Sequence, residues 1–493
     1  MQWISEHSLT LGFIAVYLLL LAYHAWHGSR RVNSLSDYLV AGRNLGGWLV
    51  ALSFYATFMS TNTFIGAAGK SYDVGMVWCI GIVVYVGLCC VSWFLVAPRF
   101  VPLTREYGSL TVADFLGHRY GSLLLRRVAA VIIVFASIIY LVAIYKGSAL
   151  ALTGMLDLRY EVAVVVILLV VTAYTLAGGF QSVVLTDAVQ GTLMVLGAVG
   201  MAVALLIRGG GLGSMLQTIQ AKDPALLSWS GNMPVLTILG LSLAVGLKYL
   251  VEPRQLSRFY GLRNKSALRQ ASIIAPLLIL LTYICLLPAG ALAHSVLPDA
   301  ISDSDEVIPA LLARAQLFGP VLSSLFLLVL LSAAMSSLDS VLLVAASAIE
   351  HDLVAPHRPD EDPRGVRWTR AWVVVVSVAS ALVAVSPFAS DIMSLTSLSG
   401  SVYGACFLPA LVLGLFLKRA RVAAALASSI SGLVAVVGWF IARKTGYVEL
   451  HEVYVGLLVG LGVYLLVMMC EKNKDTGTGR AEYVLPDESR GRG

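Results

Sequence analysis

Long apolar stretches alternate with short polar loops along the whole chain. Stretches of about 20 residues, the length that a helix needs to cross a bilayer, recur from end to end. We predict spans at approximately 8–26, 48–70, 76–98, 127–150, 160–178, 187–207, 234–252, 271–296, 318–347, 369–388, 394–417, 420–442 and 452–470. The pattern predicts an all-α integral membrane protein with about 13 transmembrane helices.

Basic residues concentrate in the loops after odd-numbered spans, whereas the other loops are acidic or poor in lysine and arginine, as in "LPDAISDSDE". The residues counted are Arg30, Arg31, Arg43, Arg99, Arg105, Arg119, Arg126, Arg127, Arg254, Arg258, Arg263, Lys265, Arg269, Lys418, Arg419 and Arg421. Because cytoplasmic loops carry the excess of positive charge, we predict an outside N-terminus and an inside C-terminus.

The composition supports a membrane protein and excludes several other classes. Hydrophobic residues make up 58% of the 493 residues and charged residues 13%, about half the ~25% of soluble domains. The net charge of +6 does not indicate a nucleic-acid partner, because the basic residues lie between apolar spans. The six cysteines show no CxxC spacing, so neither a zinc site nor a disulfide framework is indicated.

No segment is long enough for a separate catalytic or signalling domain. The longest polar pieces are 208–233, 351–368 and the tail 471–493, which we predict to be a disordered cytoplasmic tail. Histidines lie in loops, in termini or near span ends, so hydrolase chemistry based on a serine and a histidine has no clear position. A sensor built on a transporter-like domain would need the signalling domain that this tail is too short to provide.

Two spans contain helix-breaking and polar residues at mid-membrane. Span 2 reads "FYATFMSTNTFIGAAG", and span 7 reads "LAVGLKYLVEPRQLSRF". They lie five helices apart, and a five-helix unit followed by its copy must invert in the membrane. Broken helices in corresponding positions of two inverted halves point to the binding site of a secondary transporter. The alternative is the ordinary tolerance of membrane helices for glycine and proline.

The segment "LLSAAMSSLDSVLLVAAS", residues 330–347, places Ser336, Ser337, Asp339 and Ser340 within an apolar span. Spacings of three and four residues put them on one helix face, and a carboxylate at this depth suggests a functional site. Sodium, like other hard cations, prefers oxygen ligands. Small residues for helix packing would explain the serines but would not explain Asp339.

A second carboxylate, Asp187, follows Gly178 and Gly179 in "AYTLAGGFQSVVLTDAVQG". It is a candidate cation ligand at the start of span 6. The alternative is an acidic residue in the first turn of a helix, where it interacts favourably with the helix dipole.

The segments "SLSDYLVAGRNLGGW", "AGGFQSVVLTDAVQ" and "AAMSSLDS" resemble signature segments of the sodium:solute symporter family. The resemblance covers essentially the whole chain and implies a leucine-transporter-type fold in one transporter domain, residues 1–470. Its inverted repeats would cover about 47–207 and 234–417, with additional helices at 8–26, 420–442 and 452–470. It implies a non-enzymatic symporter in the bacterial inner membrane, with Na+ as coupling ion, no organic cofactor, and lipid and a small solute as partners. A single copy would suffice.

The resemblance also implies two ion sites. The main sodium site would use the carbonyl groups of Ala56, Met59 and Ala333 and the hydroxyls of Ser336 and Ser337. A second site, present in some members, would use Asp187, Ser336, Asp339 and Ser340. Asp339 stands where such members have a serine, so the extra carboxylate either strengthens a cation site or pairs with a neighbour and abolishes it.

The family's solute pocket matches Thr57, Phe58, Ser60, Thr63, Lys248 and Tyr249. The segment "EPRQLSRF" resembles the "QPHxxxRF" pattern of the proline and pantothenate branch, with Glu252 in place of glutamine. The Lys248 ammonium favours a small carboxylate-bearing solute, such as a monocarboxylate or an amino acid such as proline, over a sugar or sialic acid. Alternatively, Lys248 pairs with Glu252 four residues on or extends toward the headgroups.

Overall fold

The structure is a computed structural model that describes residues 3, 7–29, 43–229, 232–313, 319–359, 362–387, 390–417 and 421–470, without the side chains of 25–29, 177–179 and 181. The described residues are helical apart from short connections and one isolated bridge between Leu45 and Leu262. The predicted tail, 471–493, lies outside them, as do Arg30, Arg31, Lys418 and Arg419.

The described residues of the first half of the chain form nine α-helices and several tighter or wider helical turns. The α-helices are α1 (Ser8–Ser29), α2 (Gly47–Phe58), α3 (Ala68–Val74), α4 (Gly81–Val91), α5 (Ala97–Glu106), α6 (Val112–Tyr120), α7 (Leu123–Leu156), α8 (Tyr160–Arg208) and α9 (Leu212–Lys222). Four further segments of 3-10 or π geometry are Asn62–Ala67, Met76–Ile80, Ser92–Val96 and Pro224–Leu227.

The second half continues the same architecture. Its α-helices are α10 (Val235–Val251), α11 (Pro253–Tyr260), α12 (Lys265–Leu286), α13 (Ala289–Ala293), α14 (Val307–Ala313), α15 (Pro320–Ser347), α16 (Pro363–Ala384), α17 (Ile392–Phe407), α18 (Gly414–Phe416), α19 (Val422–Lys444) and α20 (Glu452–Cys470). Segments Ser304–Glu306, Ala348–Val354 and Leu408–Leu413 have 3-10 or π geometry.

Ten helices in the described part of the chain are long and apolar enough to cross a membrane. Three shorter apolar helices, Ser8–His24, Gly47–Phe58 and Tyr160–Leu176, fall where we predict spans 1, 2 and 5. The protein is therefore an all-α, multi-pass membrane protein. The count of thirteen spans stays a prediction.

Helical backbone runs through the whole of α8, where the sequence predicts two spans. Gln190 donates a hydrogen bond to the Tyr17 hydroxyl (2.7 Å), and Val170 lines a small cavity beside the same tyrosine. In the structure, helical backbone thus joins the Tyr160–Leu176 and Ser182–Arg208 segments, which the sequence predicts as separate spans 5 and 6.

The centre of the molecule consists of helices that are covered on nearly all sides. In their most apolar windows, α17 and α15 are 83% and 78% buried, whereas α16 and α20 are 33% and 22% buried. Ser336, Ser337 and Asp339 are fully buried on α15. Their polar groups thus face protein rather than lipid, as the high cost of intramembrane charge requires.

Candidate functional site

The helix of predicted span 2 is interrupted in mid-sequence. α2 ends at Phe58, Met59 has a non-helical backbone (φ −73°, ψ 86°), and helical structure resumes at Asn62. The Ser60 hydroxyl accepts a hydrogen bond from the Asn62 amide (3.2 Å). This local contact partly satisfies the backbone groups that the break releases.

Predicted span 7 is interrupted in the same manner. α10 ends at Val251, Glu252 is extended (φ −71°, ψ 125°), and α11 begins at Pro253. The proline accounts for this break, because its ring excludes the preceding residue from the helical conformation. The carbonyl of Glu252 then accepts the first bonds of α11, from Gln255 and Leu256 (both 3.0 Å).

The two breaks lie side by side. The Phe58 ring is stacked on the Tyr249 ring, with centroids 3.6 Å apart and planes 14° apart. Arg254, at the start of α11, donates to the Thr57 carbonyl at the end of α2 (2.5 Å). The residues next to each break therefore contact one another directly.

Four of the five residues predicted for the main sodium site converge between α2 and α15. Ser336 Oγ lies 3.0 Å from the Ala56 carbonyl oxygen and 3.4 Å from that of Ala333. Ser337 Oγ donates to the Thr57 carbonyl (3.1 Å). Met59, the fifth, is buried at the break. The site thus offers neutral oxygen atoms from two helices, the ligand type that suits sodium.

Two of the four residues predicted for the second sodium site, Asp187 and Ser340, contact a buried arginine. Arg258 Nη2 donates to Asp187 Oδ2 (2.9 Å), Ser340 Oγ (2.5 Å) and Thr57 Oγ1 (2.7 Å). Ser53 also donates to Asp187 Oδ2 (2.6 Å). Asp187 therefore contacts side chains of other helices. An acidic residue that only caps the first turn of its own helix, the alternative interpretation, would not need these contacts.

Asp339 lies next to this arginine group. Its Oδ2 is 2.9 Å from the Tyr174 hydroxyl, and its Oδ1 is 3.0 Å from Ser340 Oγ. Asp187 Oδ1 has no hydrogen-bond partner within the described part of the chain. The predicted second site is therefore a cluster of two carboxylates and one guanidinium.

On the other side of the breaks lies a second set of charged residues. The Lys248 Nζ is 3.5 Å from the centre of the Tyr140 ring and 3.8 Å from Glu252 Oε1. Arg254 Nε lies 3.0 Å from Glu252 Oε1, and Arg254 Nη2 donates to the Tyr140 hydroxyl (3.2 Å). Two cationic groups thus share one carboxylate in the protein interior.

Lys248 is 1% exposed and therefore does not extend to the headgroups. It lies within ion-pair distance of Glu252, as one alternative expected, but its ammonium makes no hydrogen bond to any described residue. The lack of a side chain at Gly400 on α17 leaves room for Lys248. A Cβ at position 400 would overlap the Ala244 carbonyl and would lie 3.4 Å from Lys248 Cε.

The remaining residues predicted for the solute pocket divide between the two clusters. Ser60 Oγ accepts from the Tyr140 hydroxyl (2.7 Å), next to the lysine. Thr63 is buried just beyond the break. The Thr57 hydroxyl instead lies in the arginine group, where it donates to Asp187 (3.3 Å).

The predicted loop charge is corrected at three positions. Arg254 and Arg258 were assigned to a positive loop after span 7, but they are 1% and 2% exposed and belong to the two clusters. Arg126, assigned to the loop before span 4, is 3% exposed and pairs with Asp114 (3.0 Å) and Asp352 (2.8 Å). A charge count treats every arginine near a predicted span end as solvated, so it cannot recognise a buried ion pair.

Two further features flank the charged centre. On one side, Lys146 pairs with Asp305 (2.8 Å), which also accepts a hydrogen bond from the Ile392 amide (3.1 Å) at the start of α17. On another side, a small cavity between α6, α11 and α15 is lined by Arg258 and Ser340. Its volume of about 30 Å³ has room for little more than water.

A helical membrane protein in which two broken helices meet at buried charged and hydroxyl groups has the architecture expected of a secondary transporter. The sodium:solute symporter family matches residues 38–432, so the chain belongs to that family. Sodium-coupled symport of a small organic solute is the activity class that this membership gives.

Individual relatives agree with this assignment. The chain is 30% identical to the high-affinity proline transporter PutP of Bacillus subtilis (strain 168), over 90% of this chain and 94% of the relative. It is 28% identical to a sodium/pantothenate symporter of Escherichia coli (strain K12), over 88% and 90%. The solved structure of a Na+-coupled sialic acid symporter, substrate-bound and outward-open, shares the fold with a TM-score of 0.79 at 20% identity, over 93% of this chain and 96% of that chain.

Proposed function

We propose that this protein imports a small monocarboxylate together with sodium. The observation that carries the proposal is the buried Lys248 ammonium, which makes no hydrogen bond to any described residue. An ammonium has three donor hydrogens, and leaving such a group unsatisfied in the interior is costly. A solute carboxylate is the ligand that would supply both charge and acceptors.

The charge balance of the pocket distinguishes an anion from a zwitterion. Lys248 and Arg254 carry two positive charges, and Glu252 carries one negative charge. The excess of one positive charge matches a solute with a net charge of −1. Relatives named for proline and pantothenate carry carboxylate-bearing solutes, and the lysine makes an anionic solute the better match here than an uncharged amino acid.

The proposed main sodium site uses Ala56, Met59, Ala333, Ser336 and Ser337. Its supporting observation is the approach of Ser336 to the Ala56 carbonyl (3.0 Å). Sodium would hold α2 against α15 and thereby fix the end of α2 that carries Phe58 and Ser60. Because coupling is reciprocal, the solute would raise sodium affinity by the same factor.

The proposed architecture is thirteen spans with inverted repeats at 47–207 and 234–417 inside one domain, 1–470. The support for these repeats is that each predicted first helix, α2 and α10, ends at a break, at Met59 and at Glu252. The N-terminus would lie outside the bacterial inner membrane and the C-terminus inside. In that orientation, the Lys146–Asp305 pair would lie on the outer side of the charged centre and the small cavity at Arg258 on the inner side. A monomer, without organic cofactor or enzymatic step, would suffice.

Thermal unfolding of the purified protein tests the proposal. Monocarboxylates, amino acids and sugars are each added in sodium and in potassium, because a ligand that binds only the folded state raises its stability. We expect a monocarboxylate to raise the melting temperature in sodium only. Uptake of that compound into sodium-energised vesicles then establishes transport. Shifts confined to sugars, or equal shifts in potassium, would contradict the proposal.

A further inference from the structure

A long apolar groove lies between α1 and α8. Two neighbouring cavities form it, with volumes of about 260 Å³ and about 220 Å³. Leu18 of α1 and Val170 of α8 line both cavities, so the two adjoin at this pair of residues. An apolar cavity of about 150 Å³ already stays free of water and binds small hydrocarbons. The groove is therefore large enough for a hydrocarbon ligand.

The groove follows one face of each helix. Its walls include Leu11, Leu18 and Ala22 on α1 and Val166, Val170 and Tyr174 on α8. Separations of four and seven residues keep side chains on one side of a helix. From Leu11 to Ala22 a helix rises about 16 Å, which is about half of the ~30 Å hydrocarbon core of a bilayer. The groove thus has the length of one acyl chain in one leaflet.

The polar atoms in the walls of the groove bond to the protein itself. The Trp3 indole donates to the Leu156 carbonyl (2.8 Å), and the Tyr17 hydroxyl accepts a hydrogen bond from α8 (2.7 Å). The Tyr174 hydroxyl donates to the Met335 carbonyl (2.8 Å). A polar ligand would lose its hydration here without gaining partners, which is costly. A hydrocarbon chain loses no hydrogen bond on entering.

The groove is continuous with the surface that faces lipid. Val166, in its wall, is 39% exposed, and Val162 and Leu169 on the same helix are exposed as well. In a multi-pass membrane protein, such exposed apolar side chains lie against the acyl chains of the bilayer, which are as apolar as leucine. The bilayer therefore supplies a ligand of matching chemistry directly at the opening of the groove.

We propose that this groove binds one acyl chain of a bilayer phospholipid, which lies along α1 and reaches Met335 of α15. The headgroup would lie at the end that carries Trp3, because tryptophan is enriched at the level of the headgroups. Met335 lines the larger cavity, is 2% exposed and directly precedes Ser336 of the proposed sodium site. The bound chain thus packs against the turn of α15 that carries this serine, whereas a lipid on the outer surface would not contact Met335.

Photolabelling of the full-length protein in vesicles tests the proposal. The vesicles consist of phosphatidylethanolamine and phosphatidylglycerol and contain a phosphatidylethanolamine with a diazirine in the middle of one acyl chain. After irradiation, mass spectrometry identifies the labelled residues. We expect labels on the buried groove residues Ile167 and Met335 in addition to exposed residues. Labels confined to exposed residues such as Leu169 would show that lipid does not enter the groove and would overturn the proposal.

A pair of variants on α8 separates the groove from the outer surface. Val170→Phe narrows the groove where the two cavities adjoin and should lower the labelling of Met335 about tenfold, which corresponds to about 1.4 kcal/mol. Leu169→Phe adds the same ring at the neighbouring position, which is 64% exposed, and should keep the wild-type labelling. Equal labelling of Met335 in the two variants would contradict the proposal.

A second pair on α1 keeps the test decisive if Val170→Phe does not fold. Leu18→Phe narrows the groove from the opposite wall, and Leu19→Phe, at an exposed position, is its control. We expect the same loss of Met335 labelling in Leu18→Phe only. The labelling needs neither sodium nor transport, so it tests the lipid site even if the proposed symport fails.

Discussion

The ammonium nitrogen of Lys248 lies 3.5 Å from the centre of the Tyr140 ring. A cation over an aromatic face gains about 0.5–2 kcal/mol, which does not replace the hydration that a buried ammonium loses. The hydroxyl of the same tyrosine accepts a hydrogen bond from Arg254 and donates one to Ser60. Tyr140 therefore links both cations of the pocket to the break in α2.

Lys248→Met should weaken the binding of a monocarboxylate by about 10-fold to 100-fold, because a hydrogen bond to a charged group contributes about 1.5–3 kcal/mol. The variant should keep its sodium dependence. The measurement is the solute concentration for half-maximal uptake in vesicles. Lys222→Met, at the exposed end of α9, is the matched control and should behave as wild type. Unchanged monocarboxylate binding in Lys248→Met would exclude this lysine as a ligand.

The double variant Ser336→Ala, Ser337→Ala should raise the sodium concentration for half-maximal uptake by about tenfold or more, which is about 1.4 kcal/mol. Both hydroxyls are removed from the proposed sodium site while the backbone carbonyls remain. Ser347→Ala is the control on the same helix, because its hydroxyl donates to the Val344 carbonyl of its own turn (2.9 Å) and to no other residue that the structure describes. An unaltered sodium requirement in the double variant would show that sodium binds elsewhere.

Gly400→Ala should destabilise the protein by about 1–3 kcal/mol, the usual cost of overpacking, and should weaken solute binding. A Cβ at this position would overlap the Ala244 carbonyl and displace α10, which carries Lys248. Gly438→Ala, on α19, has no atom within 4 Å of the added carbon and is the control. Thermal unfolding with and without solute separates the two effects. Equal melting temperatures and equal solute effects in the two variants would contradict the close packing of α17 on α10.

Asp114 should make the protein sensitive to acid. Although burial opposes it, the His351 imidazole and the Arg126 guanidinium hold the pKa of this carboxyl well below its usual range. A group with a lowered pKa in the folded state contributes stability above its ordinary pKa, and this contribution is lost as the pH falls below about 4.

Asp114→Asn should therefore lower stability at neutral pH by about 3–5 kcal/mol, the cost of removing one partner of a buried ion pair. Its melting temperature should also fall less steeply than that of the wild type between pH 5 and 3. Asp299→Asn, at an exposed loop position, serves as control. If the melting temperatures of wild type and Asp114→Asn fell in parallel with decreasing pH, another group would cause the acid sensitivity.

The helix breaks were predictable because their causes are local. Pro253 enforces an extended Glu252, and the hydroxyl-rich "MSTNT" segment marks the end of α2. The serines and aspartate of α15 were predictable as one polar face because helical spacing alone places them together. Such features need no knowledge of neighbouring helices.

The roles of the arginines were not predictable from a count of loop charges. Arg254 and Arg258 are four residues apart on α11, so the spacing already places them on one face. The sequence does not show how close α11 lies to Asp187 on α8 or to Glu252. Those distances depend on how the broken helices pack. Tyr140 and Tyr174 were missed for a similar reason, because a tyrosine in an apolar span carries no distinctive pattern.

The carbonyl oxygen of Thr57 accepts hydrogen bonds from Ser337 and from Arg254. One peptide group is therefore shared by the proposed sodium site and the solute pocket. Because this acceptor belongs to the backbone, a substitution at position 57 changes only the side chain and leaves the shared acceptor in place. Replacing Thr57 by alanine would consequently remove its hydroxyl contacts with Arg258 and Asp187, while the carbonyl shared by the ion site and the solute pocket would remain.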